Sequence, residues 1–400
     1  ALEATGDTGP TLQVGDVTEF VETDDGSDLE VDEHIKYEVS GTFEAPHYMK
    51  SAGQGVRLNL DENGEITQNG TRTVDWLMRI PHTAIDGPPQ GVITYGHGMF
   101  GSRHEIRAGH IGQIAHDYNY IVVAVDMVGM SSEDLQTAPL AIINPSRFSR
   151  IAERLLQGLT EHVLLTRAAN RQLADLDIIT ENNITIDDEE PFYFGGSQGG
   201  IFGQPLMAID PELRKGFLAV PGVNYATMLQ RSKNFDQFQT QLANIFPNPA
   251  DLAVVIGYMQ LMWDRTDPVS YVRHLEKDPL DGNPRHVLMA VSKGDKQVPV
   301  VTVENVARSN VDIPIVEPYD EDRSVFDAAT TSYPHQGSGI VLFDFGNPWP
   351  DEGNAPPDDG MDDPHDNLAG VEEAGEFLDT FLQEGRIVDI CGGSYCQFME

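Results

Sequence analysis

The residues with the clearest chemical potential lie in a Gly-x-Ser-x-Gly pattern between two short apolar runs. The serine is Ser197, flanked by Gly195 and Gly199. This order predicts a strand, a sharp turn and a helix, because the glycines leave room for a turn too tight for larger side chains. A hydroxyl on such a turn becomes a nucleophile when a base removes its proton. The alternative is a glycine-rich turn that contains a serine by chance.

A serine nucleophile needs a histidine as base and an acid that orients the histidine. Asp295 is the candidate acid, since it lies on a glycine turn directly after the apolar run 287–291. His365 is the candidate base, because it follows the last apolar run, 340–343, and precedes the final predicted helix. Residues that follow parallel strands meet at one edge of the sheet. The three side chains are therefore expected to converge.

Both candidates have rivals in the sequence. Asp295 could instead cap a turn or helix, and Asp126 also ends an apolar run but precedes the serine in the chain. His335 precedes the last apolar run, so we expect it at the opposite edge of the sheet. These positions favour Asp295 and His365.

Two backbone N–H groups are candidates for holding the oxyanion that acyl transfer generates. Gln198 would supply one, because it begins the helix after the serine. Met99 would supply the other, from the loop that follows the apolar run 91–95 and contains His97. The alternative for this loop is a plain turn at the end of a strand.

Short apolar runs separated by helical patterns must position these residues. The runs are continuous rather than alternating, which is typical of strands buried on both faces. They predict an α/β protein with a doubly wound, mostly parallel sheet and helices on each side. Helical periodicity is clearest over 146–174 and from Val371 to Phe381. The strongest runs are 91–95, 121–125, 192–194, 217–220, 287–291 and 340–343.

The chain divides in sequence into a core with one insertion and one leading arm. We expect the core over 31–222 and 276–400, a helical cap over 223–275, and a flexible acidic arm over 1–30. The insertion concentrates large apolar side chains that could line a substrate pocket or only pack the cap onto the core. These candidate substrate-binding residues are Tyr258, Met259, Met262 and Trp263.

Charge restricts the partners of this chain of 400 residues. It carries 64 Asp and Glu against 25 Lys and Arg, a formal net charge of -39. Such a surface repels phosphate backbones and anionic lipids, so we expect neither as a partner. No apolar run is long enough to span a membrane. Adaptation to saline surroundings and an ordinary acidic composition explain the charge equally well.

The two cysteines, Cys391 and Cys396, lie in the last ten residues. We expect a disulfide rather than free thiols, which together with a first residue other than Met favours a secreted or extracellular, processed protein. The acidic cluster from Asp358 to Asp366 could bind calcium, but we prefer a solvated loop. We predict no metal site and no cofactor.

The chain order Ser197, Asp295, His365 resembles that of the α/β-hydrolase superfamily, over about residues 75–385. The Gly-Asp-x-x-Val-Pro run at 294–299 is similar to the acid loop of many esterases and lipases. The Gly-Gly-Ser-Gln-Gly-Gly elbow is similar to that of acetyl xylan esterases and cephalosporin deacetylases, whose Arg-Gly-Gln segment this chain lacks.

The resemblance implies an esterase or lipase that cleaves small or polymeric carboxylic esters through an acyl-enzyme, without a cofactor. The alternatives are a peptidase or amidase that uses the same three residues, and a non-catalytic binding protein on this fold.

Overall fold

A computed structural model of the chain describes residues 1–24, 26–186, 190–350 and 360–398. Within these ranges, no helix combines the length and apolar character that crossing a membrane requires. Strands and helices alternate along most of the chain, as its apolar runs predict.

The bounds of the elements follow in chain order. The strands are β1 (Gln13–Val21), β2 (Glu30–Val31), β3 (Ile35–Pro46), β4 (Thr71–Pro81), β5 (Gly91–Gly96), β6 (Tyr120–Val125), β7 (Phe192–Gly196), β8 (Lys215–Ala219), β9 (His286–Ser292), β10 (Ile315–Glu317), β11 (Thr330–Ser332), β12 (His335–Gln336), β13 (Gly339–Asp344), β14 (Arg386–Ile387) and β15 (Cys396–Gln397). The α-helices are α1 (Leu2–Thr5), α2 (Thr83–Asp86), α3 (Gly109–Asp117), α4 (Thr137–Ile143), α5 (Ser149–Gln172), α6 (Asp177–Thr180), α7 (Gln198–Ile209), α8 (Tyr225–Leu229), α9 (Asp236–Ile245), α10 (Pro249–Trp263), α11 (Val301–Ala307) and α12 (Glu372–Glu384). The 3-10 helices are Arg103–Arg107, Ser132–Asp134, Pro145–Arg147, Leu173–Asp175, Lys233–Phe235, Pro268–Ser270, Val272–His274 and Pro364–Gly370.

The chain forms two compact units. The first unit comprises 1–137, 153–193 and 210–214, and the second comprises 138–152, 194–209 and 215–400. Ser197, Asp295 and His365 all belong to the second unit, whereas Met99 belongs to the first.

The first unit contains strands in the order β5, β6, β4, β3, β1, β2. The pair β5 and β6 is parallel, and β6 is buried along its whole length. The strands β4, β3 and β1 join it in antiparallel fashion. Apolar side chains of α5, such as Leu164 and Leu165, share one buried cluster with Trp76 of β4. Burial on both faces explains why the sequence of β6 is continuously apolar.

The second unit contains the strand order β11, β10, β13, β9, β8, followed by residues 194–196 of β7. Every pairing from β8 to β11 along this order is parallel. The strands β9 and β13 are almost completely buried. Helix α12 follows and ends at Gly385, whose φ of 63° is the left-handed conformation that glycine adopts readily. The predicted α/β fold with a mostly parallel sheet is confirmed.

The predicted flexible arm over 1–30 is wrong for its middle part. Strand β1 lies there and pairs with β3, Val17 opposite Val39. Most side chains of β1 are exposed, so no apolar periodicity marks the strand, and backbone hydrogen bonds to β3 hold it. The insertion 223–275 is helical, and its role as a cap stays a prediction.

The two cysteines form a disulfide between Cys391 and Cys396, as expected. The adjoining β15 pairs with β13. Of the acidic cluster, Asp358 and Asp359 lie outside the described residues. In the ranges that the structure does describe, no group of three His, Cys, Asp or Glu side chains is arranged to hold a metal ion.

Candidate active site

Ser197 occupies a sharp turn between β7 and α7. Its φ is 54°, a conformation that costs an ordinary side chain about 1–2 kcal/mol. The turn is fixed on both sides, because Ser197 N donates to Ala219 O at 3.0 Å and Ile201 N donates to Ser197 O at 2.9 Å. A Cβ at Gly200 would lie 2.7 Å from Ala219 O, so only glycine fits this close approach. The predicted elbow is therefore present, with its backbone strained at the serine.

The candidate acid and base form a direct pair. His365 Nδ1 lies 2.7 Å from Asp295 Oδ2, and the two side chains are 3% and 1% exposed. Asp295 Oδ1 accepts hydrogen bonds from Gln297 N and Val298 N, both at 2.8 Å. A carboxylate only accepts, so His365 Nδ1 carries the hydrogen and Nε2 of the neutral ring has a free lone pair.

The surroundings of His365 make it more basic. Burial by itself lowers the pKa of this imidazole, because it disfavours the charged form. The charge of Asp295 and its hydrogen bond outweigh burial, with smaller contributions from Asp366 and Asp363, so the pKa of His365 lies above its usual 6.5. The pair therefore stabilises the imidazolium that a general base becomes.

Ser197, Asp295 and His365 each follow the end of a strand in the second unit. Across these ends, Val220 N donates to Ala290 O at 2.7 Å and Lys293 N donates to Phe343 O at 2.8 Å. In the described part of the chain, no hydrogen bond joins the hydroxyl of Ser197 to His365. That contact stays a prediction, and such bonds often tighten only when substrate binds.

Among the described residues, neither predicted oxyanion donor has an acceptor for its backbone N–H. Gln198 begins α7, so its N–H has no acceptor one turn earlier in the helix. In the first unit, the backbone amides on either side of Met99 already donate hydrogen bonds. Gly98 N donates to both carboxylate oxygens of Glu105 at 3.0 Å, and Phe100 N donates to Met130 O at 2.8 Å. Met99 N has no acceptor within the described ranges.

His97 is buried and holds this loop in place through two hydrogen bonds. Its Nε2 accepts from Met127 N at 2.8 Å, so its Nδ1 carries the hydrogen and donates to Gly98 O at 2.7 Å. Burial lowers the pKa of His97, which favours this neutral form. The carboxylate of Glu105 also helps to hold the loop, because it accepts from Tyr95 OH at 2.8 Å as well as from Gly98 N. The sequence carried no signal for Glu105.

The four candidate substrate-binding residues differ in their surroundings. Trp263 is buried, with its ring stacked on Tyr225 at 3.8 Å and packed edge-on against Phe148 at 4.6 Å. Met259 is also buried, whereas Tyr258 is 62% exposed and Met262 is half-buried. Burial of Trp263 and Met259 favours the packing alternative for these two, and a substrate role for the four stays a prediction.

Tyr225 contacts Gln198, the residue that follows Ser197, and sequence reasoning missed it. Gln198 Nε2 donates to Tyr225 OH at 2.6 Å in the interior of the second unit. Asp267 then fixes Tyr225, because its carboxylate accepts from Tyr225 N at 2.8 Å and from Gln260 Nε2 at 2.9 Å. Burial raises the pKa of Asp267. The Asp-Pro dipeptide at 267–268 was the one available signal, since it is typical of a helix start.

No known family model matches the chain, and no curated protein matches it by sequence. Solved structures do resemble it. Acetyl xylan esterase 1 from Thermoanaerobacterium sp. JW/SL YS485 is 15% identical with a TM-score of 0.39, over 84% of this chain and 82% of that one. A cell wall degrading esterase from Xanthomonas oryzae is 13% identical with a TM-score of 0.37, over 75% and 87%. An S-formylglutathione hydrolase from Agrobacterium tumefaciens is 14% identical with a TM-score of 0.37, over 87% and 94%.

The chain's own geometry carries the fold assignment. A strand, a strained serine and a helix form the elbow, and the candidate acid and base follow later strands of the same unit. In chain order the candidates are a serine, an aspartate and a histidine, the order that goes with a nucleophile elbow in this superfamily. By its strands, its elbow and this order, the chain has the fold of the α/β-hydrolase superfamily.

Proposed function

We propose that the protein is a serine hydrolase that cleaves carboxylic esters through an acyl-enzyme. The observation that carries the proposal is the buried pair of His365 and Asp295, in the same unit as a serine held at a positive φ on an elbow. A structural serine has no need of that strain, which costs folding free energy. A buried histidine whose pKa is raised by a bonded carboxylate is suited to accept a proton.

The reaction proceeds in two halves. His365 Nε2 takes the proton of Ser197 Oγ, and Oγ attacks the carbonyl carbon to form a tetrahedral oxyanion. When the carbon–oxygen bond to the alcohol breaks, His365 returns the proton to that alcohol and the acyl group stays on Ser197. Water then attacks the acyl carbon while His365 takes its proton, and the acid leaves as the proton returns to Ser197.

The helix start at Gln198 supplies an N–H for the oxyanion, a donor worth about 3 kcal/mol in comparable sites. Met99 remains the predicted second donor. Asp295 keeps the hydrogen of His365 on Nδ1 throughout the cycle. We infer an extracellular location from the disulfide of Cys391 and Cys396, which would be reduced in a cytosol.

Replacement of the serine tests the proposal. We expect Ser197→Ala to lower kcat for p-nitrophenyl esters by about six orders of magnitude, or to the assay background, with an unchanged fold by circular dichroism. Ser292→Ala is a matched control, because Ser292 is buried in the same unit and its Oγ has no hydrogen-bond partner among the described residues. Retained turnover in Ser197→Ala would refute the proposal.

The same assay separates the alternatives. A wild-type protein that cleaves anilides or peptides faster than matched esters would be an amidase or peptidase. A protein that neither turns over an ester nor reacts with a fluorophosphonate would be a binding protein. A series of acyl chain lengths together with a polyester film would define the class of ester.

A further inference from the structure

The carboxylate of Asp363 lies between the loops that carry the candidate acid and base. Its Oδ1 accepts hydrogen bonds from Lys296 N at 3.0 Å and from His365 N at 3.2 Å. Lys296 directly follows Asp295 in the chain, and Asp363 precedes His365 by two positions. One oxygen atom therefore connects two loops that are 70 residues apart at the acid–base pair.

Three successive amides of the acid loop are divided between two carboxylates. Gln297 N and Val298 N donate to Asp295 Oδ1, whereas Lys296 N donates to Asp363 Oδ1. The first two bonds orient the Asp295 carboxylate within its own loop. The third bond fixes that loop relative to the segment of His365.

A second contact supports the same arrangement. The buried ammonium of Lys296 donates to Met361 O at 2.7 Å. On the other side of the segment, Asn347 Nδ2 donates to Asp362 O at 2.9 Å. Polar contacts thus hold the short run 361–363 on both sides, and the Asp363 carboxylate is bonded to both loops.

We propose that Asp363 is a positioning residue of the acid–base pair, which by holding the amides of Lys296 and His365 keeps the His365 imidazole against Asp295. Its effect on catalysis rests on the proposed function, whereas its effect on the imidazole does not. The alternative is an ordinary cap, since Asp363 also precedes the 3-10 helix Pro364–Gly370. A cap would stabilise that helix without setting the geometry of the pair.

Charge and hydrogen bonding at Asp363 can be separated with a neighbour. The carboxylates that act on His365 are Asp295, Asp363 and Asp366, and the cation on the facing loop is Lys296. Asp366 is exposed and forms no hydrogen bond within the described residues. Asp366→Asn therefore removes a charge near the imidazole and leaves both loops bonded, and Asp363→Asn removes a charge while keeping an oxygen acceptor.

The test follows the His365 Nδ1 proton by NMR and kcat/KM as a function of pH. We expect Asp363→Ala to abolish the downfield Nδ1 proton signal and to lower kcat about ten- to a hundredfold with little change in KM. Asp363→Asn and Asp366→Asn should keep the signal and only shift the acidic limb of the pH profile to lower pH.

Asp363→Ser distinguishes positioning from capping and remains informative if Asp363→Ala fails to fold. Serine caps a helix about as well as aspartate, but its shorter side chain cannot hold Lys296 N as well. We expect it to lose the signal as Asp363→Ala does. If Asp363→Ala or Asp363→Ser kept the Nδ1 proton signal and had the same pH profile as Asp366→Asn, the inference would be overturned. If the wild type cleaves no ester, the proposed function fails, and the NMR signal still decides the role of Asp363.

Discussion

Asp295 Oδ2 accepts a 2.7 Å hydrogen bond from His365 Nδ1, and both side chains are buried. The Asp295 carboxylate fixes which nitrogen of the His365 ring carries the hydrogen. Its negative charge also favours the protonated, positively charged ring. A general base must be neutral to accept a proton. If His365 is the base, we therefore expect activity to be lost as the pH falls through the pKa of His365, which lies above 6.5.

Removal of the carboxylate charge gives the first prediction. We expect Asp295→Asn to lower kcat by about four orders of magnitude, the loss known for this change in a catalytic triad, because the amide favours the wrong tautomer. The residual activity should persist to lower pH, because the loss of a negative charge lowers the pKa of His365. Stopped assays across the pH range and an NMR titration of His365 measure both effects. An unchanged acidic limb would contradict this account of the pair.

The contact between Gln198 and Tyr225 gives the second prediction. Tyr225→Phe removes the acceptor of a buried amide, and an unsatisfied buried donor costs about 1–3 kcal/mol. We expect a loss of that size in urea unfolding, together with a lower kcat if the N–H of Gln198 is an oxyanion donor as proposed. Tyr395→Phe is the control, since the Tyr395 hydroxyl forms no hydrogen bond within the described ranges. Equal stability of the two variants would argue against the contact.

The elements around the candidate site could be predicted because each leaves a local pattern. Ser197 lies in a short motif, and the continuous apolar runs of β9 and β13 indicate buried parallel strands. Asp295 and His365 follow those strands, so their pairing followed from the rule that parallel strands end at one edge.

The supporting residues left no such pattern. Tyr225 and Asp363 form hydrogen bonds with residues far along the chain, at 198 and 296, and a single polar residue has no periodicity. Strand β1 escaped prediction for a related reason, because most of its side chains are exposed and its pairing uses the backbone. These three cases share long-range bonding through polar or backbone groups, which leaves no apolar periodicity in the sequence.

The large negative charge gives the third prediction. At a formal net charge of -39, repulsion between carboxylates destabilises the compact state. Salt shortens the Debye length from about 10 Å at 0.1 M to about 3 Å at 1 M, which screens this repulsion. If the protein is adapted to saline surroundings, we expect its Tm to rise with NaCl up to molar concentration. Sucrose at matched osmolality is the control, and a flat Tm would refute the adaptation.

Glu161 gives the last prediction, on stability rather than activity. It is fully buried on α5, where its Oε1 accepts from Gln157 Nε2 at 2.9 Å and lies 3.2 Å from Arg72 Nε. Burial raises the pKa of Glu161 from 4.5 to about 7, against the opposing charge of Arg72. Between these pH values the folded protein holds a proton that the unfolded chain releases, so this group makes the free energy of unfolding fall as the pH rises.

Glu161→Gln stays neutral, and we expect it to gain stability relative to the wild type from pH 5 to pH 8 in urea titrations. Glu376→Gln, an exposed change on α12, should show no such gain. Parallel pH profiles for Glu161→Gln and the wild type would mean that Glu161 is already ionised in the fold.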